Sequence, residues 1–564
     1  MAMQLEERPG PARRQVSLMR EIGVVGLLWA SMGSIIGSGW LFGAQKALYT
    51  AGPAAVISWV IGGVAILILA LVHAELGAMY PVSGGSARFP HYAFGGVAGA
   101  SFGWFSWLQA ATVAPIEVSA VILYMTHYSF ASGWLHANET LTASGLVVAI
   151  VLMAILSAIN FLGIRILATV NSTATWWKVG VPLATIFVVG ISAFHTSNFT
   201  AADGFNPAGG HGILAAVATS GIIFAYLGFE QADQLAGESK RPKRDIPLAV
   251  VGSIVLGLII YISLQIVFIG ALPPSAIGHS WLIQPGAGVP AHLFNAFTGP
   301  WAQLAAAVSI GWLASVLYFD AVVSPAGTGL IYTAATSRVS FGLSRNGYIP
   351  TIFERLNRRR VPWFGVIVSF VIGCICFLPF PSWQSLIGLI TGASVLMYAG
   401  APLSFGVFRN RLPNAERPYR TPAGVVMAPL AFIVANFIIL WSGWETAWKL
   451  GVAILIGYVI LTVNRVFKLN PTTPVLDWKA AQWLPVYLIG MGVIVYLSDY
   501  GPLKNPVFPL WWDLLAVGVF SLIIYYWAVA VALPAQKIEE MINEVVLPEE
   551  ETLDVPAGGL PPVG

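Results

Sequence analysis

Five ionisable side chains sit inside otherwise apolar segments of this chain: Glu117, Lys178, Glu230, Asp233 and Asp320. A charge at the centre of a membrane-spanning helix costs roughly 2.5–3.5 kcal/mol on insertion scales, so such residues are functional candidates by default. Glu117 and Asp320 are the most deeply placed, and a carboxyl there can take up and release a proton. The plainer reading is a carboxyl satisfied by neighbouring hydroxyls or by an ion pair. Lys178 is a fixed ammonium that can stand where a coupling cation would otherwise be needed. Equally, its long stem can carry the charge to the inner interface.

A second kind of chemistry belongs to the backbone. Gly33-Ser34-Ile35-Ile36-Gly37-Ser38-Gly39 places three glycines and two serines in the middle of an apolar run. Each glycine costs a helix about 1 kcal/mol relative to alanine, so the helix opens most easily there. Phe224-Ala225-Tyr226-Leu227-Gly228-Phe229-Glu230 is a matching weak point. Unwound backbone at membrane depth is tolerated only where it lines a cavity or is covered by protein. The N–H groups at Ser38 and Gly39, at the start of an outer half-helix, suit a carboxylate. The carbonyls of Ile35, Phe224 and Leu227 suit an ammonium. Gly33 and Gly37 also form a GxxxG spacing, which alone means only close helix packing. Two such breaks in one many-helix chain point to the substrate site of a transporter.

The elements that must position these groups are membrane helices. The 564 residues are 57% hydrophobic and 9% charged, with a mean hydropathy of +0.77, which excludes a soluble domain. About fourteen apolar spans are expected, at 22–48, 52–78, 97–127, 144–163, 172–195, 211–236, 247–272, 302–334, 362–380, 383–408, 425–443, 448–466, 481–498 and 511–533. The first is too long, and lacks the cleavage pattern, for a removable signal peptide. All Lys and Arg residues except Lys46, Lys449 and Lys504 gather on alternate connections or at Lys178. The positive-inside rule then places both termini in the cytoplasm. Cys374 and Cys376 share one apolar run, so there is no disulfide framework. No metal-ligand spacing, phosphate loop or nucleophile motif occurs, which argues against an enzyme and against any cofactor. Asn138 and Asn198 head glycosylation sequons on the outer side.

Organisation follows from counting. After a cytoplasmic segment 1–21, residues 22–196 and 211–408 each hold five spans and each begin with a broken one. Five is odd, so the second set enters from the opposite face, giving paired inverted halves. Residues 425–533 add further helices suited to packing or dimer contacts. A disordered cytoplasmic tail is expected over 534–564.

Gly37-Ser38-Gly39, Glu75-Leu76-Gly77 with Tyr80-Pro81-Val82-Ser83-Gly84-Gly85, and Phe224 to Glu230 followed by Ala236-Gly237-Glu238 and Pro242-Lys243-Arg244-Asp245-Ile246-Pro247 resemble the amino acid–polyamine–organocation permeases. The resemblance spans about residues 16 to 430. Ile116-Glu117-Val118, Gly311-Trp312-Leu313-Ala314, Asp320-Ala321, Ser324-Pro325 and Leu378-Pro379-Phe380-Pro381-Ser382-Trp383 are most similar to the bacterial aspartate:proton symporters of that family. It implies an all-α polytopic membrane protein with a five-plus-five inverted-repeat (LeuT-like) core and alternating access. It places the substrate carboxylate at Ser38 and Gly39, and its amine at Ile35, Phe224 and Leu227, with Glu230 close by. A lysine at position 178 goes there with sodium-independent transport.

The expected function is a proton-coupled amino acid permease of the cell (plasma or inner) membrane, carrying aspartate or another amino acid. It needs no nucleic acid and works as a monomer or homodimer. An amino acid exchanger is the near alternative; a substrate-sensing receptor is the distant one.

Overall fold

The computed structural model describes residues 22–81, 85–162, 164–282, 299–378, 382–472 and 474–550. The N-terminal segment 1–21, residues Pro379-Phe380-Pro381 and the end of the tail lie outside them, and side chains around Arg165 are likewise not described. A chain this apolar must satisfy its peptide groups internally, and helices do so segment by segment. Among the described residues there is no strand, only isolated bridges.

The helices run in order α1 (Val24–Ile35), α2 (Gly39–Ala51), α3 (Ala55–Met79), α4 (Gly85–Phe94), α5 (Gly96–Met125), α6 (Ala143–Asn160) and α7 (Ile164–Ala193). Then come α8 (Gly209–Thr219), α9 (Ile222–Tyr226), α10 (Gln231–Gln234), α11 (Pro242–Ala271), α12 (Pro300–Ala307), α13 (Gly311–Arg345), α14 (Trp363–Cys376) and α15 (Trp383–Arg411). The last are α16 (Gly424–Trp441), α17 (Gly443–Val466), α18 (Trp483–Leu497), α19 (Trp512–Val531) and α20 (Ala535–Glu550). Ten helical stretches among the described residues are long and apolar enough to cross a membrane, with shorter apolar helices besides. Both expected breaks are present: α1 gives way to α2 across Ile36–Ser38, and α8, α9 and α10 are pieces of one interrupted pass. The architecture is that of an all-α polytopic membrane protein.

Four elements differ from the sequence expectation. Helix α7 begins at Ile164 rather than near 172, because it continues through the polar Asn171-Ser172-Thr173, so Lys178 falls at its midpoint. Helix α13 extends to Arg345 and starts after a kink at Ser309, whose φ is 65°, so Arg338 and Arg345 are helical rather than in a loop. Residues 88–94, which fall between the expected spans 52–78 and 97–127, are helical too, and Phe89, Tyr92 and Phe94 of α4 are buried against α5 and α15. The tail expected to be disordered from 534 carries α20, where Ile538 and Ile542, four residues apart, are buried.

Helices α5 and α15 are the most enclosed, α5 lying along α13 and α15, while α3 lies along α11. Two charged fastenings close opposite ends of this bundle. Near the junction of α2 and α3, Lys46 pairs with Glu139 at 2.8 Å. At the far end of α3, Glu75 accepts from Arg409 at 3.1 and 2.8 Å and from the Thr421 N–H at 2.6 Å, with Arg417 at 3.5 Å. Glu75→Ala is expected to lower the melting temperature of the detergent-solubilised protein, with a cost of about 1–3 kcal/mol, because it strands two guanidinium groups. An unchanged melting curve would mean that the arginines find water instead. Asn198, although in a sequon, is buried and donates to the carbonyls of Ile269, Gly270 and Leu272, so it is closed to glycosylation.

Candidate functional site

The two helix interruptions face each other. A side chain at Gly39 would stand 2.9 Å from both the Cα and Cβ of Ala225, so the start of α2 touches the middle of α9. Gly228 sits at φ +121°, a region that favours glycine, and a side chain there would meet Ser34 and the Ile35 N–H. Ser31 Oγ donates to the Phe229 carbonyl at 3.1 Å, tying α1 to the far side of the second break. Between them lies a small cavity whose walls include Ser34, Ile35, Gly37, Glu117, Phe224 and Leu227. Thr328 and Tyr332 of α13, Val113 of α5 and Ile390 of α15 complete it. A larger crevice of about 370 Å³ lies among α5, α13 and α17, but no acid, lysine or arginine lines it. The smaller cavity, flanked by opened backbone, is the chemically equipped one.

The donors and acceptors at the first break are already engaged. Glu117 Oε2 accepts the Ser38 N–H at 2.9 Å, so a carboxylate occupies the N-terminus of α2. The other oxygen, Oε1, has no partner among the described residues. Ser38 Oγ accepts from Trp383 Nε1 at 2.9 Å. Lys178 Nζ, fully buried, donates to the Gly33 carbonyl and to Thr328 Oγ1 at 2.7 Å. The Ile35 carbonyl accepts from Tyr261 Oη at 2.9 Å and from the Gly37 N–H at 3.2 Å. At the second break, the Phe224 carbonyl accepts the Leu227 N–H at 3.2 Å, and Leu227 is extended with ψ 144°.

Glu230 is buried just beyond the cavity, behind Tyr332. Its carboxylate accepts from Tyr398 Oη at 2.6 Å, Tyr332 Oη at 3.2 Å, Gln109 Nε2 at 3.1 Å and the Gly228 N–H at 2.9 Å. Four donors account for both oxygens of an ionised carboxylate without a counter-ion. Asp320 is buried outside the cavity lining, where its Oδ1 accepts from Ser324 Oγ at 2.7 Å and Trp177 Nε1 at 2.8 Å. Thus Ile35, Phe224, Leu227 and Glu117 come together on one wall, with Ser38 and Lys178 bonded to that wall. Gly39 serves the contact between the breaks, and Glu230 and Asp320 stand apart from the lining. Sequence reasoning missed Tyr261, Thr328, Tyr332 and Trp383 as bonding partners. Their only sequence signal was a hydroxyl or indole within an apolar run, which is common to many membrane helices.

The amino acid permease family model matches residues 22–463, most of the chain. The chain belongs to the amino acid permease family. Among curated relatives, the permease is 39% identical to the glutamate/serine transporter AimA of Bacillus subtilis, over 91% of this chain and 94% of that one. It is 34% identical to the aspartate-proton symporter of the same organism, over 93% and 99%. The branched-chain amino acid permease BcaP of Bacillus subtilis is 26% identical over 79% and 92%. The permease is therefore a multi-pass membrane transporter of amino acids and not an enzyme.

Proposed function

We propose that the permease is a sodium-independent, proton-coupled importer of small amino acids, acidic or hydroxyl-bearing, working by alternating access around the two helix breaks. Residues 22–196 and 211–408 would be its inverted halves, with both termini in the cytoplasm and the chain in the plasma or inner membrane. The observation that carries this reading is the ammonium of Lys178, bonded to the opened carbonyl of Gly33 and to Thr328. It is a built-in monovalent cation at an unwound segment, so no second cation has to be recruited. The activities of the glutamate/serine transporter and the aspartate-proton symporter of Bacillus subtilis favour glutamate, serine or aspartate as cargo, and the latter favours the proton as partner.

The position of Glu117 supports a route for coupling. Its carboxylate holds the Ser38 N–H that a substrate carboxylate would need. Two anions compete for one donor, so substrate entry favours release and protonation of Glu117. Substrate amine would then lie toward Ile35, Phe224 and Leu227. Glu230, already saturated, shapes the floor behind Tyr332.

Uptake into proteoliposomes with an inward proton gradient, with and without sodium and with and without internal amino acid, tests this. Accumulation that follows the pH gradient and ignores sodium is expected. Uptake that requires internal amino acid and ignores the gradient would instead make the protein an exchanger. Glu117→Gln should keep one-for-one counterflow within about threefold while gradient-driven accumulation falls at least about tenfold, the equivalent of 1.4 kcal/mol. If Asp320→Asn alone has that effect, Asp320 carries the proton.

A further inference from the structure

One buried acid is used by nothing described so far. Asp233, in α10, is fully buried, yet neither carboxyl oxygen has a hydrogen-bond partner among the described residues. Gly77 of α3 and Ile246 of α11 close around it: a side chain on Gly77 would collide with its carboxyl, and Ile246 packs against the same point. An ionised carboxylate held there without donors would be strongly unfavourable, whereas a neutral carboxyl fits. A neutral carboxyl carries an O–H with no acceptor.

A complementary vacancy lies one helical turn away. His73 of α3 is fully buried and shares a helix face with Gly77. Its Nδ1 lies 2.8 Å from the Leu69 carbonyl. A carbonyl only accepts, so Nδ1 carries the ring proton and Nε2 presents a lone pair. Nε2 has no partner among the described residues. The imidazole ring abuts Tyr398, with centroids 5.4 Å apart, and Tyr398 Oη is bonded to Glu230. Tyr398 thus joins Glu230 to the face of the His73 ring, and the Asp233 carboxyl lies beside Gly77, one turn along α3 from that ring, with no hydrogen bond between His73 and Asp233. Gln109 Oε1 and Gln231 Nε2, in the same region, also lack partners among the described residues.

We propose that Asp233 is a proton-binding carboxyl of the permease, lying past the helix break from the cavity and exchanging its proton through His73 Nε2. On one leg of the cycle the carboxylate gains a proton and becomes neutral. On the other the O–H bond breaks, the proton passes through a bridging water to the imidazole lone pair, and the imidazolium gives it up to water admitted as this end of the permease opens. No other reactant is consumed.

The other titratable groups on the elements packed against α10 are already committed or distant in role. Glu75 is paired with Arg409 and Arg417, His91 is bonded to Tyr348 Oη, and Lys243 is paired with Glu416. Arg88 and Tyr92 on α4, Glu238 in the following turn, and Arg244, Asp245 and Tyr261 on α11 complete the set; Tyr261 is bonded to the Ile35 carbonyl, and no titratable residue falls within α1.

This inference rests on proton coupling as proposed above, and the test separates the two. Wild type, Asp233→Asn and Asp233→Leu are reconstituted and assayed for counterflow and for gradient-driven uptake of glutamate, serine and aspartate. Both replacements are neutral and near-isosteric, so either one that folds reports. Counterflow within about threefold of wild type, with gradient-driven accumulation down at least about tenfold, is expected; a fold-change of that size corresponds to 1.4 kcal/mol. A pH-indicator dye inside the vesicles should register substrate-driven acidification for wild type and little for the variants. Full accumulation and full acidification in either folded variant would reduce Asp233 to a packing group while leaving proton coupling intact. A wild type that ignores the gradient would overturn both readings together.

Discussion

Lys178→Met is expected to cut uptake at least about 100-fold while leaving a folded, monodisperse protein in detergent. The ammonium holds the Gly33 carbonyl and Thr328 Oγ1 at the point where α1 gives up its helical bonds. Removing one member of a buried, hydrogen-bonded charge arrangement costs about 3–5 kcal/mol, and 1.4 kcal/mol is tenfold. Methionine keeps most of the stem volume, so the loss falls on the opened backbone and not on packing. Radiolabelled uptake beside a size-exclusion profile checks this. Transport within about threefold of wild type would show that the first break keeps its shape without the charge. Lys178→Arg is a poor rescue, because a planar fork cannot replace a compact point charge between two closely set oxygens.

Gly39→Val should weaken substrate affinity by about 5–150-fold, the equivalent of the 1–3 kcal/mol that overpacking costs. The first β carbon would press on the Cα and Cβ of Ala225, and backbone cannot step aside as a flexible side chain can. The two breaks must then separate, and the groups around the cavity lose register. The resemblance, which places the substrate carboxylate at Ser38 and Gly39, leads to the same variant by another route. Because the glycine faces α9, Gly39→Ala alone should already reduce affinity, and Ala225→Gly should partly restore it. Isothermal titration on the three proteins measures both effects; additive losses without restoration would mean that the residues do not share one contact.

Much of the architecture could be read before any coordinates. Apolar length marked the helices, and clustered glycine marked the breaks, because both are properties of single segments. The ends of α7 and α13 were misplaced because a polar residue such as Arg338 does not by itself end a helix. Where the cavity lining depends on backbone opening or on isolated charge, residues named from the sequence are found in it: Ile35, Phe224, Leu227 and Glu117, with Lys178 bonded to Thr328 beside them. It was not legible where it depends on which hydroxyl meets which carbonyl. Nothing local distinguishes Tyr261, bonded to Ile35, from a tyrosine at a membrane surface, since the partner is more than two hundred residues away. The same limit hid the difference between Glu230, with its four donors, and Asp233, with none among the described residues.

The fastenings at Lys46–Glu139 and at Glu75–Arg409 are made together in one conformation, by residues that share no partner. Groups so far apart act almost independently, so the chance of both letting go at once is close to the product of two small chances. A molecule built this way resists opening at both ends together, and a transporter so fastened would hold a concentration difference with little loss to leakage.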